Sequence, residues 1–237
     1  MNFLMRTRYI KICLGALLAG MLGACAPGIP PQMPVEGIQV PADFPEAHYR
    51  HAMTLGKKIL RVDSAQSLVV IEVRRAGSLA RLGHDHVVAS HNVTGYVSVE
   101  EGLADFYVPL ARLAVDEPAL RAEAGFGTHP SPDDIEGTRH NMLVKTLDVE
   151  HFPFAVIHAT WADANRRTLK VSITLHGVTR TYEVPAQMKT VQNGIVVDGK
   201  MSFNQTEFGI TPLSILGGAI QVQDKVDLRF HIFAQDK

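Results

Sequence analysis

The sequence predicts an all-β fold, a single antiparallel barrel behind an export leader, on three observations. From Ile59 onward apolar and polar residues alternate with period two, as in strands that bury one face. Short turn signals separate the alternating runs and leave no room for the crossovers that parallel pairing requires. Ahead of them, a basic, an apolar and a small-residue stretch run in that order into Cys25.

Composition narrows the function classes. The 237 residues are 46% hydrophobic and 20% charged, and 23 Lys+Arg against 24 Asp+Glu give a net charge of −1. Nothing in that balance points to nucleic acid as a partner. The two cysteines, Cys13 and Cys25, both precede the alternating region, which therefore has no disulfide, thiolate ligand or thiol nucleophile.

Arg6, Arg8 and Lys11 form the basic region of a signal peptide over 1–24, and Ile12 to Leu22 form an apolar stretch too short for a stable membrane span. Leu22-Gly23-Ala24-Cys25 resembles a lipobox. That resemblance implies a diacylglyceryl group on the Cys25 sulfur, cleavage before it and acylation of the new terminus, so that the membrane is reached through this anchor. Ala26, rather than Asp, after Cys25 suggests the periplasmic face of the outer membrane. Residues 25–58 carry the lipidated Cys, a Pro-rich tether (Pro27, Pro30, Pro31, Pro34, Pro41) and a short helix from about Asp43 to Leu55, with Asp43 as its cap.

The barrel domain is assigned to 59–237. Val69, Ile71 and Val73 form one inward set; Val87, Ala89, Val93, Val97 and Val99 form the next. Leu169 to Leu175, Tyr182 to Met188, Ile195 to Phe203 and Val226 to Ile232 follow with the same period. Glu101-Gly102, Ala164-Asn165, His176-Gly177 and Asn193-Gly194 mark turns, the last being the strongest two-residue hairpin signal. So many strands must close or stack, because open edges invite aggregation. Ser131-Pro132-Asp133-Asp134 reads as a helix start, and Met142, Leu143, Thr146 and Leu147 continue at helical spacing, placing a helix at about 132–146 over a barrel opening. Thr211 to Ala219 reads as a loop.

Four segments carry a family resemblance: Ile59 to Ser67 (ILRVDSAQS), Arg139 to Phe154 (RHNMLVKTLDVEHFPF), Leu169 to Val184 (LKVSITLHGVTRTYEV) and Ser202 to Ile210 (SFNQTEFGI). In order and spacing the chain resembles the YceI-like family, named for lipid and polyisoprenoid binding, over about 59–236. It departs from the pattern at Gln205, where a basic residue is expected, and at Gly83-His84-Asp85-His86, which belongs to one branch of the family. The resemblance implies a lipocalin-like extended antiparallel barrel holding an isoprenoid or fatty-acyl chain. An interior of about eight strands either just fills with side chains or holds one small ligand. Ile71, Val73, Val87, Phe106, Val108, Ile173, Met201, Phe203 and Phe230 are the candidate lining residues, and Ala89, Gly95 and Gly199 the small ones that leave space. Alternation looks the same for a dry, filled core, so occupancy stays open.

Among eleven histidines, His84 and His86 share a strand face and are the candidate metal pair. His91 points the other way, so a third ligand would come from His129, His140 or His158. The alternative is a pair that only hydrogen-bonds its own loop. His176 is placed on the polar face and expected to be exposed. No triad, nucleophile elbow or phosphate loop is present in the sequence. Two functions follow: a non-catalytic lipid carrier that needs no cofactor, or a metal-binding protein or metal-dependent enzyme built on His84 and His86. A structural envelope role is a third. Oligomeric state is left open.

Overall fold

The computed structural model describes residues 40–236; the signal peptide, Cys25 and most of the Pro-rich tether lie outside them. The twelve strands, in chain order, are β1 (Ile59–Val62), β2 (Leu68–Ala76), β3 (His86–Ser90), β4 (Thr94–Ser98), β5 (Leu103–Pro109), β6 (Ala114–Val115), β7 (Phe154–Trp161), β8 (Thr168–Leu175), β9 (Val178–Val191), β10 (Gly194–Asn204), β11 (Ser214–Ile215) and β12 (Ile220–Gln235).

Every pairing is antiparallel, and the sheet runs β1-β4-β5-β7-β8-β9-β10-β12 before β12 returns to β1, through Arg61 opposite Gln235, and closes an eight-strand ring. β2, β3 and β6 extend the same ring positions beside β12: β2 pairs with its N-terminal part, β3 with β2, and β6 with β3. Closure removes the free edges that a sheet this long would otherwise expose.

The hairpins follow local chemistry. At β8–β9 the loop is His176-Gly177 with φ of +51° and +72°, the double positive φ that two-residue hairpins favour. At β9–β10 the loop is Gln192-Asn193 instead of the expected Asn193-Gly194, and Gly194 already pairs with Val191. Gly194 is needed for a different reason: a Cβ there would sit 2.0 Å from the Ala234 carbonyl oxygen on β12.

Three helices decorate the barrel. α1 (Glu46–Thr54) starts two residues after Phe44, with Pro45 at the cap position and no side-chain cap, so Asp43 does not cap it. It packs on the outside through Tyr49, which is fully buried, and Tyr49 stacks on Tyr96 with centroids 5.0 Å apart. α2 (Pro118–Glu123) covers the outer face of β2 and β3, where Val70, Val87 and Phe126 form a second apolar cluster with Leu68 and Leu120. α3 (Pro132–Asn141) opens with a capping box between Ser131 and Asp134 and runs into a π-helical turn over Met142–Thr146.

α2 explains one error of parity. Ile71 pairs with Val88 and Glu72 with Val87, so Val88 joins the barrel core while Val87 and Ala89 face outward. The expectation that Val87 and Ala89 point inward is therefore corrected. Both faces of β3 are apolar, one against the interior and one beneath α2, so alternation carries no sign there. The parity reverses in the bend after Ser90, and the expected set turns inward again, Val93 in the main core and Val97 and Val99 on the cavity wall beside Leu60 and Ile195.

Candidate functional site: the barrel interior

Inward side chains from nearly every strand meet in one core that includes Val62, Val93, Val108, Ile157, Val171, Ile173, Val184, Phe203 and Ile232. The core is not completely filled. A cavity of about 200 Å³ is bordered by Val69, Ile71, Phe106, Ile157, Ala159, Trp161, Ile173, Met201, Phe203, Leu228 and Phe230, among others. Among the described residues, Ser98 and Arg166 are the only hydrogen-bonding or charged side chains on its wall apart from the Trp161 indole. A second cavity of about 120 Å³ adjoins it and shares Ile71, Leu113, Leu147, Leu175 and Phe203. Val73, Val88, Met142, Ile210 and Val226 add to its wall, together with His86 and Gln205.

Of the residues expected to line the interior, Ile71, Phe106, Ile173, Met201, Phe203 and Phe230 border the first cavity and Val73 the second. Val108 is buried in the same core. Val87 lies outside, as above. The small residues do not open the space assigned to them. A Cβ on Gly199 would meet the Phe230 ring at 2.3 Å, and one on Gly95 would meet the Phe106 Cα at 2.5 Å. The neighbouring aromatic strands already occupy those gaps, and the room arises where Ala155 and Ala159 on β7 face across the barrel. Sequence reasoning missed Trp161, Ala159 and Leu147. The first two fall at the end and middle of a strand with His158 and Thr160 as polar partners, a period-two signal that was present. Leu147 follows the π-helical turn, which no pattern foretells.

The histidines separate by environment. The His84 and His86 rings meet with centroids 6.2 Å apart, but they serve different partners. His86 Nδ1 lies 2.6 Å from Asp116 Oδ2. Asp116 also accepts from the Val87 amide and from Arg121, whose guanidinium further reaches the Asp85 and Thr128 carbonyls. Burial pushes the Asp116 carboxyl up, but the hydrogen bonds from His86, Val87 and Arg121 outweigh it and hold the group below its ordinary value. His84 Nε2 stands 3.9 Å from Asp134 Oδ2, while His84 Nδ1 is buried without a hydrogen-bond partner.

The third metal ligand sought in the sequence is not assembled: among the described residues no three His, Cys, Asp or Glu side chains are grouped to hold an ion. His129 and His140 are exposed. His158 lies on the outer face, bonded to Asp105 at 2.7 Å, and His91 is bonded to Glu117. His176, expected on an exposed polar face, is half-buried in the hairpin turn against the Phe152 ring at 4.5 Å.

These features define a closed, lipocalin-like antiparallel barrel with an apolar interior. Residues 60–234 match the model of the YceI-like domain, and the chain belongs to that family. A polyisoprenoid-binding domain from Saccharophagus degradans, implicated in plant cell wall breakdown, shares the fold at 10% identity and a TM-score of 0.53, covering 75% of this chain and 98% of that one. Burkholderia cenocepacia BcnA does so at 17% identity and a TM-score of 0.53, covering 73% and 99%. No curated protein matches the chain.

Proposed function

We propose that this protein is an exported lipoprotein, anchored through Cys25 on the periplasmic face of the outer membrane, whose barrel binds the apolar chain of an isoprenoid or fatty-acyl lipid as a non-catalytic carrier. One observation carries the reading: the cavity of about 200 Å³ walled by Phe106, Ile173, Met201, Phe230 and their neighbours, with almost no polar side chain. An apolar cavity excludes water and gains when hydrocarbon enters it, by roughly 25 cal/mol for each Å² of apolar surface removed from solvent. Ligand pockets usually measure about 300–1,000 Å³, so cavities of this size suit one narrow chain rather than a fused ring system. The polyisoprenoid-binding description of the Saccharophagus degradans barrel is in keeping with this ligand class.

Protein purified without detergent should release a long-chain or isoprenoid lipid on solvent extraction, identified by mass spectrometry. Trp161 is the only tryptophan and borders the cavity, so added lipid should also change its fluorescence saturably. Repeated preparations with no extractable lipid and no Trp161 response would overturn the reading.

A further inference from the structure

We propose that the paired loops at 76–83 and 211–222 dip into the surface of a lipid bilayer and turn the second cavity toward it. The proposal rests on the reading of the chain as an envelope lipoprotein whose barrel binds lipid. The loop after β2 and the β11–β12 hairpin lie side by side. Gln221 pairs with Ala76, Ile215 pairs with Ile220, and the Leu79 amide donates to the Ala219 carbonyl at 2.8 Å. Together they leave Leu82, Ile215 and Leu216 exposed, at 57%, 49% and 70%. Leu216 also stands at φ +51°, in the left-handed region, where the other four non-glycine residues among those described are Asp116, Asp148, Arg166 and His176. A strained backbone that carries an apolar side chain into water weakens the barrel twice over, and a contact outside the barrel accounts for it.

Three observations make that contact a bilayer. The two segments hold a single charged residue, the exposed Arg81, in a chain that is 20% charged. An apolar tip with one cation beside it suits hydrocarbon beneath a layer of phosphate. Acids close to the loops are engaged: Asp85 lies 3.6 Å from Arg75, Asp134 accepts from Ser131 and stands 3.9 Å from His84, and Asp224 accepts from Thr206. Next, Leu213 and Val222 of the same hairpin border the second cavity, so the tip is continuous with the lipid site. Finally, the tether joins the barrel on this side. Phe44 packs on Tyr107 at 5.0 Å near the end of β5, ahead of Leu113 on the second cavity. From there α1 runs back toward Glu101, just before β5, where Lys57 binds it. The residues from Cys25 to Val40 span at most about 50 Å, which keeps the bilayer within reach. Three such side chains carry no more hydrocarbon than one myristoyl chain, which alone binds weakly and reversibly, so the loops orient an anchored barrel and do not hold it by themselves.

The test uses the lipidated protein in vesicles of phosphatidylethanolamine and phosphatidylglycerol. The environment-sensitive fluorophore NBD is placed on Leu82→Cys, on Leu216→Cys or, as a control, on Gln192→Cys. Acylation of Cys25 leaves the introduced cysteine as the one free thiol of the processed chain. Gln192 lies in the β9–β10 hairpin, beside the far end of β12. Emission from the two loop sites should be blue-shifted relative to the control and quenched several-fold more strongly by lipids carrying a nitroxide near the head group. Equal quenching at all three sites would overturn the proposal. Blue-shifted loop emission that nitroxide lipids do not quench would overturn it too, since a protein surface, a second copy of this chain included, would then cover the loops. If Cys25 is not acylated, the processed chain with Cys25→Ser is held on the vesicles by an N-terminal histidine tag and nickel-chelating lipid, and the same outcomes decide. The measurement needs no lipid in the cavity, so its failure is distinct from a failure of interior binding, which Trp161 fluorescence reports.

Discussion

The Tyr49 hydroxyl donates a 2.6 Å hydrogen bond to Asp105 Oδ2, tying the helix that precedes the barrel to its β5 strand across 56 positions. Asp105 is buried and is shared with His158 Nδ1 at 2.7 Å. Tyr49→Phe keeps the stacked ring on Tyr96 but removes the donor to a buried carboxylate, so it should cost about 1.5–3 kcal/mol in urea denaturation. Tyr49→Ala should cost more, about 3–5 kcal/mol, through the cavity left beneath α1. A loss below about 0.5 kcal/mol in both would mean that α1 is not part of the cooperative unit. Burial, and then the bond to Asp105, raise the Tyr49 hydroxyl well above its ordinary pKa of 10.0. A group raised in the folded state contributes stability that is full below its unfolded pKa and is lost at higher pH. Stability should therefore fall as pH rises past 10, and the fall should be shallower in Tyr49→Phe.

Asp116 and Arg121 form a buried pair behind His86. Asp116→Asn leaves the guanidinium without its charge partner and should cost about 3–5 kcal/mol, much of it recovered in Asp116→Asn/Arg121→Met. Additive losses in the double variant would count against the pairing. The folded Asp116 carboxyl lies below its ordinary value of 3.8, so its stabilising contribution is present above that value and is lost as pH falls beneath it. Stability contributed by this group should be flat from pH 7 to 5 and decline below about pH 4, a decline measurable by circular dichroism and reduced in Asp116→Asn.

Ala159 borders the larger cavity, and Phe106 borders it from the adjacent strand β5, opposite Ile157 in the ladder. Ala159→Phe should fill the space, lower lipid affinity at least tenfold and change the stability of the empty barrel by less than about 1.5 kcal/mol. Isothermal titration with a long-chain alcohol measures the first and urea denaturation the second. Unchanged affinity would place the ligand elsewhere.

Cys25→Ser removes the sulfur that the lipobox reading acylates. The variant should leave the membrane fraction and lose the mass of its acyl groups, as read by fractionation and intact-mass spectrometry. Retention in the membrane fraction would show that something other than Cys25 holds the protein there.

Period-two alternation at β8, β9, β10 and β12 was enough to assign an inward face, because each of these strands has one apolar and one polar side. It failed at Val87 and Ala89 because α2 supplies a second apolar environment outside β3. Ser131 to Asp134 announced the start of α3 through backbone capping, a local interaction. The seat of α1 was hidden, since Tyr49 gains its meaning only from Asp105 and Tyr96, distant in sequence.

Local order along the chain therefore determined several of the strands, β8, β9, β10 and β12 among them, their antiparallel sense and, through the four quoted segments, the family; β7 and the short β11 inside the expected loop at 211–219 were not read. Tertiary structure alone decided how β1 closes on β12, that Phe230 and Phe106 fill the gaps at Gly199 and Gly95, and that an apolar cavity remains beside Ala159. It also decided that His86 pairs with Asp116 rather than joining a cluster of three metal-binding side chains. The reason is physical: alternation depends on neighbours along one strand, whereas cavity shape and the free nitrogen of an imidazole depend on which side chains arrive from the opposite wall.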